Sequence, residues 1–135
     1  MKVLIDTNIL VSASLNSKGT PYQAYIKAVS SPNRGVVCEQ NIVELGRVFC
    51  TKFPDKLQSL ERFLALALTA LDLIPSSVVH VNDEKFIRDV SDRPILRAAI
   101  HAKVDILITG DKDFLESGIS TLKIMTAVEF LRFLL

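Results

Sequence analysis

The chain has 135 residues, of which 49% are hydrophobic and 23% are charged. This length and balance fit one globular domain over residues 1–135 and leave too little chain for two separate cores. Sixteen lysines and arginines against fifteen aspartates and glutamates give a net charge of +1, which excludes a strongly basic protein that binds nucleic acid over its whole surface. Any contact with nucleic acid must therefore depend on a local site.

Short apolar runs and segments with helical spacing alternate along the chain. In chain order they predict a strand at residues 2–5, helices over 9–15 and 21–29, a strand at 36–38, a helix over 42–53 that Pro54 ends, a helical segment over 55–74, a strand at 77–81, a helical turn within 82–88, a helix over 92–102, strands at 105–109 and 122–125, and a helix over 127–134. The strands lack a clean alternation of apolar and polar residues, which is typical of a parallel sheet buried on both faces. The predicted fold class is α/β, with a mostly parallel central sheet in a three-layer α/β/α sandwich.

The most apolar run, residues 63–71, lies in the second half of the helical segment. It is about half as long as a membrane-spanning helix needs to be, so we predict no membrane span. Apolar residues on nearly every face predict that this half is buried, with a further contact to a second copy of the chain in a homodimer. The two cysteines, Cys38 and Cys50, are too few for a disulfide scaffold and indicate reduced thiols in a cytoplasmic protein.

Acidic residues directly follow two of the apolar strands. Asp6 comes after the first strand and Asp111 after the strand at 105–109, so in a parallel sheet both project from the same edge. Asp113 lies two residues further on, and Asp92 begins the helix that leads into that strand. Each aspartate taken alone is more typical of a helix cap or a turn. Together at one edge they would repel one another unless a cation neutralised them, and oxygen ligands without His or Cys favour one or two Mg²⁺ or Mn²⁺ ions.

Four segments carry a resemblance to a known family. They are Ile5-Asp6-Thr7-Asn8-Ile9-Leu10, Glu44-Leu45 with Val48-Phe49, Asp92-Arg93-Pro94-Ile95-Leu96 with Ala99, and Ile108-Thr109-Gly110-Asp111-Lys112-Asp113-Phe114. Together they resemble the PIN domain over nearly the whole chain, and most of all the VapC-type toxins of prokaryotic toxin-antitoxin pairs. The first and last segments are specific in combination, whereas the other two are weak alone.

The resemblance implies a parallel α/β/α sandwich that cleaves RNA with the help of a divalent metal, leaving a 5′-phosphate and a 3′-hydroxyl, and it implies an antitoxin partner. Its implied catalytic and metal-binding residues are Asp6, Glu44, Asp92 and Asp111, with Asp113 as a supporting metal ligand and Asn8 and Thr109 as polar residues that hold the site. Only the resemblance selects Glu44, because on a helical wheel it lies opposite the stripe of Ile42, Leu45 and Phe49, where an exposed glutamate is expected.

Asp83 and Asp89 compete with Asp92 for the third acidic position. The spacing to the apolar residues of the following helix favours Asp92.

Binding of RNA phosphates requires cations near the carboxylates, since neutralised phosphates supply most non-specific affinity. Arg93, Arg97 and Lys112 are nearest in sequence, although each is equally typical of an ordinary exposed surface. The chain has no Trp, so Tyr22 and Tyr25 are the candidates for stacking on bases.

Three other functions fit parts of the pattern. A phosphatase of the haloacid dehalogenase type requires a second aspartate where Asn8 stands, and a receiver domain requires a lysine where Met125 and Thr126 follow the last strand. A PIN-like domain that has lost the reaction and only binds RNA or protein is the remaining alternative, and the intact acidic set argues against it.

Overall fold

Residues 1–133 are described by a computed structural model, in which they form a five-stranded sheet. Its strands are β1 (Lys2–Ile5), β2 (Arg34–Cys38), β3 (Asp72–Ile74), β4 (Ile106–Ile108) and β5 (Lys123–Met125), in the order β3-β2-β1-β4-β5. Each pair of neighbouring strands is parallel, which confirms the predicted sheet. The chain builds outwards from β1 to β3 on one side and then returns to the other side with β4. Strand order therefore reverses between β1 and β4, where parallel sheets open a crevice at the carboxyl ends of their strands.

Seven α-helices lie in the described residues: α1 (Thr7–Leu15), α2 (Thr20–Val29), α3 (Glu39–Lys52), α4 (Leu57–Ala70), α5 (Arg93–His101), α6 (Lys112–Leu115) and α7 (Ala127–Arg132). Three 3₁₀ helices accompany them, at Pro54–Lys56, Asn82–Phe86 and Val90–Asp92. The helix predicted over 127–134 ends at Arg132, and Leu134 lies outside the described residues.

Alternate residues of the strands belong to two separate cores, one on each face of the sheet. Val3 and Ile5 pack with the helices α1, α2, α3, α4 and α7, whereas Leu4 packs with α5 and α6. Both faces of β1 are therefore buried, which explains why its sequence is a continuous apolar run. The three-layer α/β/α prediction is confirmed.

The predicted strand at 77–81 is wrong. The third strand is instead Asp72–Ile74, which pairs with β2 in register Val37 to Leu73, and the following residues have no regular secondary structure. Side chains of α5 bind the backbone of this segment, because Arg97 Nη1 donates to Ser77 O at 3.1 Å and a ring nitrogen of His101 lies 2.8 Å from Val79 O. These contacts occupy backbone carbonyls that a strand would pair in the sheet, so the β-branched composition does not decide the structure here.

The second half of α4 is not buried, contrary to prediction. Leu66 is 74% exposed and Leu68 is 53% exposed, and the buried residues of this helix are Leu60 and Ala67. The helix lies on the outside of the domain and turns one stripe to the core, so the apolar residues outside that stripe face away. In the described part of the chain, no helix is long and apolar enough to cross a membrane.

Candidate active site

The carboxyl ends of β1 and β4 bring two segments together at the point where strand order reverses. Asp6 follows β1 and begins α1, and its backbone N–H donates to Ile108 O at 2.9 Å. Thr109 follows β4, and its hydroxyl donates to Asp6 Oδ2 at 2.7 Å. Asp111 lies two residues further on and begins α6. The parallel register therefore places Asp6 and Asp111 at the same edge of the sheet.

A cavity of about 380 Å³ opens at this edge, and we call it the acidic cavity. Its walls are Asp6, Thr7, Asn8, Val11, Ser12, Glu44, Val48, Lys52, Phe53, Asp92 and Asp111. Four carboxylates that are far apart in sequence thus line one space. They come from the ends of β1 and β4, from α3 and from the start of α5.

Glu44 is a buried residue of α3, although its position on a helical wheel predicts exposure. The hydroxyl of Thr7 donates to Glu44 Oε2 at 2.8 Å, and Gln40 Nε2 donates to Oε1 at 3.3 Å. The wheel prediction fails because α1 packs against this face of α3. Burial of Glu44 is a property of the contact between the two helices and cannot be read from α3 alone.

Two threonine hydroxyls orient these carboxylates in the same way. Asn41 Nδ2 donates to Thr7 Oγ1 at 3.1 Å, and the backbone N–H of Asp111 donates to Thr109 Oγ1 at 3.0 Å. A hydroxyl has a single hydrogen, so each threonine that accepts from nitrogen directs its own hydrogen to a carboxylate. Those carboxylates are Glu44 for Thr7 and Asp6 for Thr109.

Burial and neighbouring negative charge raise the pKa values of two carboxylates in the acidic cavity, Asp6 and Asp92. Burial raises the pKa of Asp6 to about 6, and the charges of Glu44 and Asp111 add to this effect against the hydrogen bonds from Thr109 and Thr7. Burial and the neighbouring Asp111, followed by the charges of Asp6 and Asp89, raise the pKa of Asp92 to about 7. The cavity therefore disfavours the negative charge of Asp6 and Asp92, which a nearby cation would offset.

A second acidic group adjoins the cavity and includes Asp89, which the sequence pattern favours less than Asp92. Carboxylate oxygens of Asp89, Asp92 and Asp113 lie within 4.8 Å of one another. Asp113 does not line the acidic cavity itself, and its Oδ1 is 2.9 Å from Arg88 Nε. Asp89 and Asp92 stand one turn apart at the ends of a 3₁₀ helix, where residues three apart project from the same side. This three-residue spacing is the sequence signal that would have kept both Asp89 and Asp92 as candidates for the acidic site.

The family model described as PIN domain matches residues 2–113, most of the chain. The chain belongs to the PIN domain family. The matched range contains all four carboxylates of the acidic cavity. A search of curated protein sequences finds no match.

Solved structures share the PIN fold of this chain. VapBC2 from Rickettsia felis, bound to a DNA fragment from its promoter, matches with a TM-score of 0.70 at 20% identity over 93% of this chain and 98% of that chain. PAE2754 from Pyrobaculum aerophilum matches with a TM-score of 0.66 at 14% identity over 98% of this chain and 88% of that chain. At these identities the likeness concerns the fold.

The donor atoms in this PIN domain fit a hard divalent cation. The titratable lining groups of the acidic cavity are carboxylates and one lysine, with neither His nor Cys among the lining residues within 1–133. Oxygen donors of this kind suit Mg²⁺ or Mn²⁺. Asp6, Glu44, Asp92 and Asp111 supply the carboxylates among the lining residues.

Arg97, one of the residues predicted to bind RNA, forms an ion pair away from the acidic cavity. Arg97 Nη2 lies 2.6 Å from Glu84 Oε1 in an ion pair whose side chains are 14% and 6% exposed. Its hydrogen bonds hold the pKa of Glu84 down, at about 2. Arg97 is absent from the walls of the acidic cavity, and its donors bind Glu84 and the backbone of Ser77, so its contact with substrate stays a prediction.

Arg93 and Lys112 remain close to the carboxylates in the chain. Arg93 Nε donates to Ile87 O at 3.1 Å, and Lys112 is exposed at the start of α6. Lys52, which was not among the predicted site residues, lines the acidic cavity from the end of α3. Its spacing of eight residues from Glu44, with Val48 between, is the signal that would have found it.

The predicted stacking tyrosines are not at the acidic cavity. Tyr25 is buried in the core beside Phe63, with ring centroids 5.1 Å apart, and Tyr22 packs against Tyr25. Both line a different cavity, between α1, α2 and α4. The helix α2 turns both rings towards the core and away from the acidic cavity, and stacking of RNA bases on them stays a prediction.

Proposed function

We propose that this PIN domain is a divalent-metal-dependent endoribonuclease and the toxin of a toxin-antitoxin pair. The observation that carries the proposal is the convergence of Asp6, Glu44, Asp92 and Asp111 on one cavity at the reversal point of the sheet. These four residues would hold one or two Mg²⁺ or Mn²⁺ ions, with Asp113 as a supporting ligand beside Asp92. They are the catalytic residues of the proposal.

The neighbouring polar residues keep the proposed ligands in place. Thr109 and the backbone N–H of Thr7 each bind one oxygen of Asp6, at 2.7 and 2.8 Å. Asn8 Oδ1 accepts from the backbone N–H of Gly110 at 3.3 Å and so joins the segments that follow β1 and β4. This fixed arrangement reduces the reorganisation required when charge develops in the reaction.

The chemistry that a divalent ion supplies when bound is polarisation of a phosphate oxygen and a lowered pKa for water. In the proposed hydrolysis a water oxygen joins the phosphorus and the bond between phosphorus and O3′ breaks. O3′ takes up a proton, and the products carry a 5′-phosphate and a 3′-hydroxyl. Without a cation the four carboxylates would repel the RNA phosphates, whereas Arg93 and Lys112 flank the site and would attract them.

The proposed partners follow from the family and from the exposed surface. The similar VapBC2 structure is a complex, and we propose an antitoxin for this chain that covers the acidic cavity and presents a cation to its carboxylates. We further propose a homodimer in which the exposed Leu66 and Leu68 of α4 are covered. We propose the cytoplasm as the location of this activity.

A cleavage assay tests the proposed reaction. The purified chain should cut single-stranded RNA in Mn²⁺ or Mg²⁺ but not in EDTA. The cleavage rates of the Asp6→Asn and Asp111→Asn variants should be lower than that of wild type by at least about 100-fold. Asparagine still caps a helix, so circular dichroism should show both variants folded. Asp55→Asn, at an exposed position outside the cavity, is the matched control and should cut normally.

Two outcomes would contradict the proposal. Cutting that persists in Asp111→Asn or in EDTA would place the reaction elsewhere. A wild-type chain that cuts no RNA in Mn²⁺ would instead favour the alternative of an inactive module that binds RNA or protein.

A further inference from the structure

The acidic cavity continues beyond its four carboxylates. Its other walls include Val11 and Ser12 of α1, Val48 and Lys52 of α3, and Phe53 at the end of α3. The volume of about 380 Å³ lies in the range of organic ligand sites, so the cavity has room for more than an ion. We call this second part the α1–α3 pocket.

Helical spacing builds the walls of the α1–α3 pocket as a continuation of the acidic end. Glu44, Val48 and Lys52 follow one another at intervals of four residues on one face of α3. With a rise of 1.5 Å per residue, Lys52 lies about 12 Å along the helix from Glu44. On α1, Val11 and Ser12 lie one turn beyond Asn8 on the same face. The two helices thus form a trough that leads away from the carboxylates.

Phe53 presents a fixed aromatic ring to this trough. It ends α3, and its ring centroid is 5.7 Å from that of Phe49 at an interplanar angle of 54°. Phe49 is fully buried, whereas Phe53 is only partly buried and lines the cavity. The core therefore holds the ring in place before any ligand binds, which lowers the entropic cost of stacking on it.

Lys52 supplies a positive charge to the α1–α3 pocket, and its ammonium group can donate hydrogen bonds to a ligand. Within residues 1–133 its ammonium makes no hydrogen bond and no ion pair, and the side chain is exposed. Arg97, by contrast, is used by Glu84. A phosphate near Lys52 would gain a positive partner at a distance from the carboxylates that would otherwise repel it.

We propose that the α1–α3 pocket is a nucleotide subsite for single-stranded RNA. An unpaired base packs on Phe53 between Val11 and Val48, and Lys52 binds a phosphate of the same strand, away from the bond that is cut. The subsite rests on the proposed ribonuclease function, because the carboxylates define the cleavage end of the trough. A base held in a duplex cannot enter it, so the pocket selects single strands.

Binding of a short fluorescein-labelled single-stranded RNA tests the subsite. The assay is fluorescence anisotropy in Mg²⁺ on an Asp111→Asn background, so that the probe stays intact. Lys52→Met should weaken binding and lower the slope of log affinity against log salt by about 0.7, the value for one phosphate contact on a single strand. Phe53→Leu should weaken binding about 5-fold or more without changing the slope, and Phe53→Tyr should bind normally.

Lys56→Met is the matched control. Lys56 is also exposed, in the 3₁₀ helix just after α3, but it does not line the cavity. The RNA affinity and the salt slope of Lys56→Met should therefore match those of the Asp111→Asn background protein. Thermal denaturation checks that each variant is folded. If Phe53→Leu fails to fold, Lys52→Met against Lys56→Met still decides the outcome.

The subsite is overturned if Lys52→Met keeps the full salt slope, or if duplex RNA binds as tightly as the single strand. When the wild-type chain cuts RNA but these variants bind normally, the subsite fails and the ribonuclease function stands. When the wild-type chain neither cuts nor binds RNA, the proposed function fails and the subsite with it.

Discussion

Burial and repulsion between carboxylates make the stability of the acidic cavity depend on pH. Asp92 has a pKa raised from 3.8 to about 7 by burial and by its acidic neighbours. The folded chain therefore binds this proton more tightly than the unfolded chain does. The contribution of Asp92 to stability is complete below about pH 4 and is lost as the pH rises through about 7. Asp6, with a pKa raised to about 6, acts in the same direction.

Replacing Asp92 should therefore stabilise the metal-free protein in neutral and alkaline solution. In EDTA, we expect the melting temperature of the wild-type chain to fall between about pH 5 and pH 8, and Asp92→Asn to fall less and to melt higher at about pH 8. Added Mn²⁺ should remove most of the wild-type loss. Thermal denaturation across this range is the measurement, with Asp55→Asn as the control that follows the wild-type profile. If the melting temperatures of Asp92→Asn and wild type fell equally steeply with rising pH, the charge of Asp92 would not destabilise the metal-free protein.

The sequence could predict part of this site because strand ends are local features. Asp6 and Asp111 each follow an apolar run, and a parallel sheet is enough to bring them to one edge. Glu44 could not be predicted from its helix, since its burial depends on the contact between α1 and α3. Lys52 follows Glu44 at helical spacing, so it could be predicted only once that face of α3 was known to line the site.

The segment between β3 and α5 is an element whose structure depends on side chains far along the chain. Glu84 binds Arg97 through both carboxylate oxygens, at 2.6 and 3.1 Å, and the backbone N–H of Val81 also donates to Glu84 at 2.6 Å. The β-branched residues Val78 and Val79 are left exposed, at 89% and 60%. The β-branched composition favours a strand, but it carries no information about the side chains of α5 that bind this segment.

The ion pair should support stability rather than RNA binding. Arg97→Met leaves the buried carboxylate of Glu84 without its partner, and we expect a fall in melting temperature on the order of 5 °C at neutral pH. RNA affinity should not change. Arg47→Met, at an exposed position of α3, is the control for loss of an arginine and should melt normally.

Hydrogen bonds lower the pKa of Glu84 from 4.5 to about 2 in the folded chain, so the ion pair stabilises the fold fully above about pH 4.5. The difference in melting temperature between wild type and Arg97→Met should therefore shrink as the pH falls towards 2. Weaker RNA binding without loss of stability would return Arg97 to the substrate contacts.

The whole molecule has a net charge close to zero but distributes its charge and apolar surface unevenly. The acidic cavity opens at the reversal point of the sheet, while α4 exposes leucines on the outside. The order of the strands could not be predicted from the sequence, because it is set by which helix covers which face. The fold class could, since continuous apolar strands alternating with helices admit few other arrangements.

Self-association should depend on the exposed leucines of α4. We expect the wild-type chain to be a dimer by light scattering coupled to size-exclusion chromatography, and Leu66→Glu to be a monomer, because a charge at a covered apolar position is costly to desolvate. Val78→Glu changes an even more exposed apolar residue outside α4 and should remain a dimer. A monomeric wild-type chain, or a dimeric Leu66→Glu variant, would contradict the proposed homodimer.

Anomalous diffraction from crystals soaked in Mn²⁺ locates a bound ion independently of any substrate. We expect a strong peak inside the acidic cavity, within coordination distance of the Asp6 and Asp111 carboxylates, that disappears in Asp6→Asn crystals. A cavity without a peak, or a peak confined to Asp89 and Asp113 outside it, would contradict the claim that the four carboxylates form the metal site.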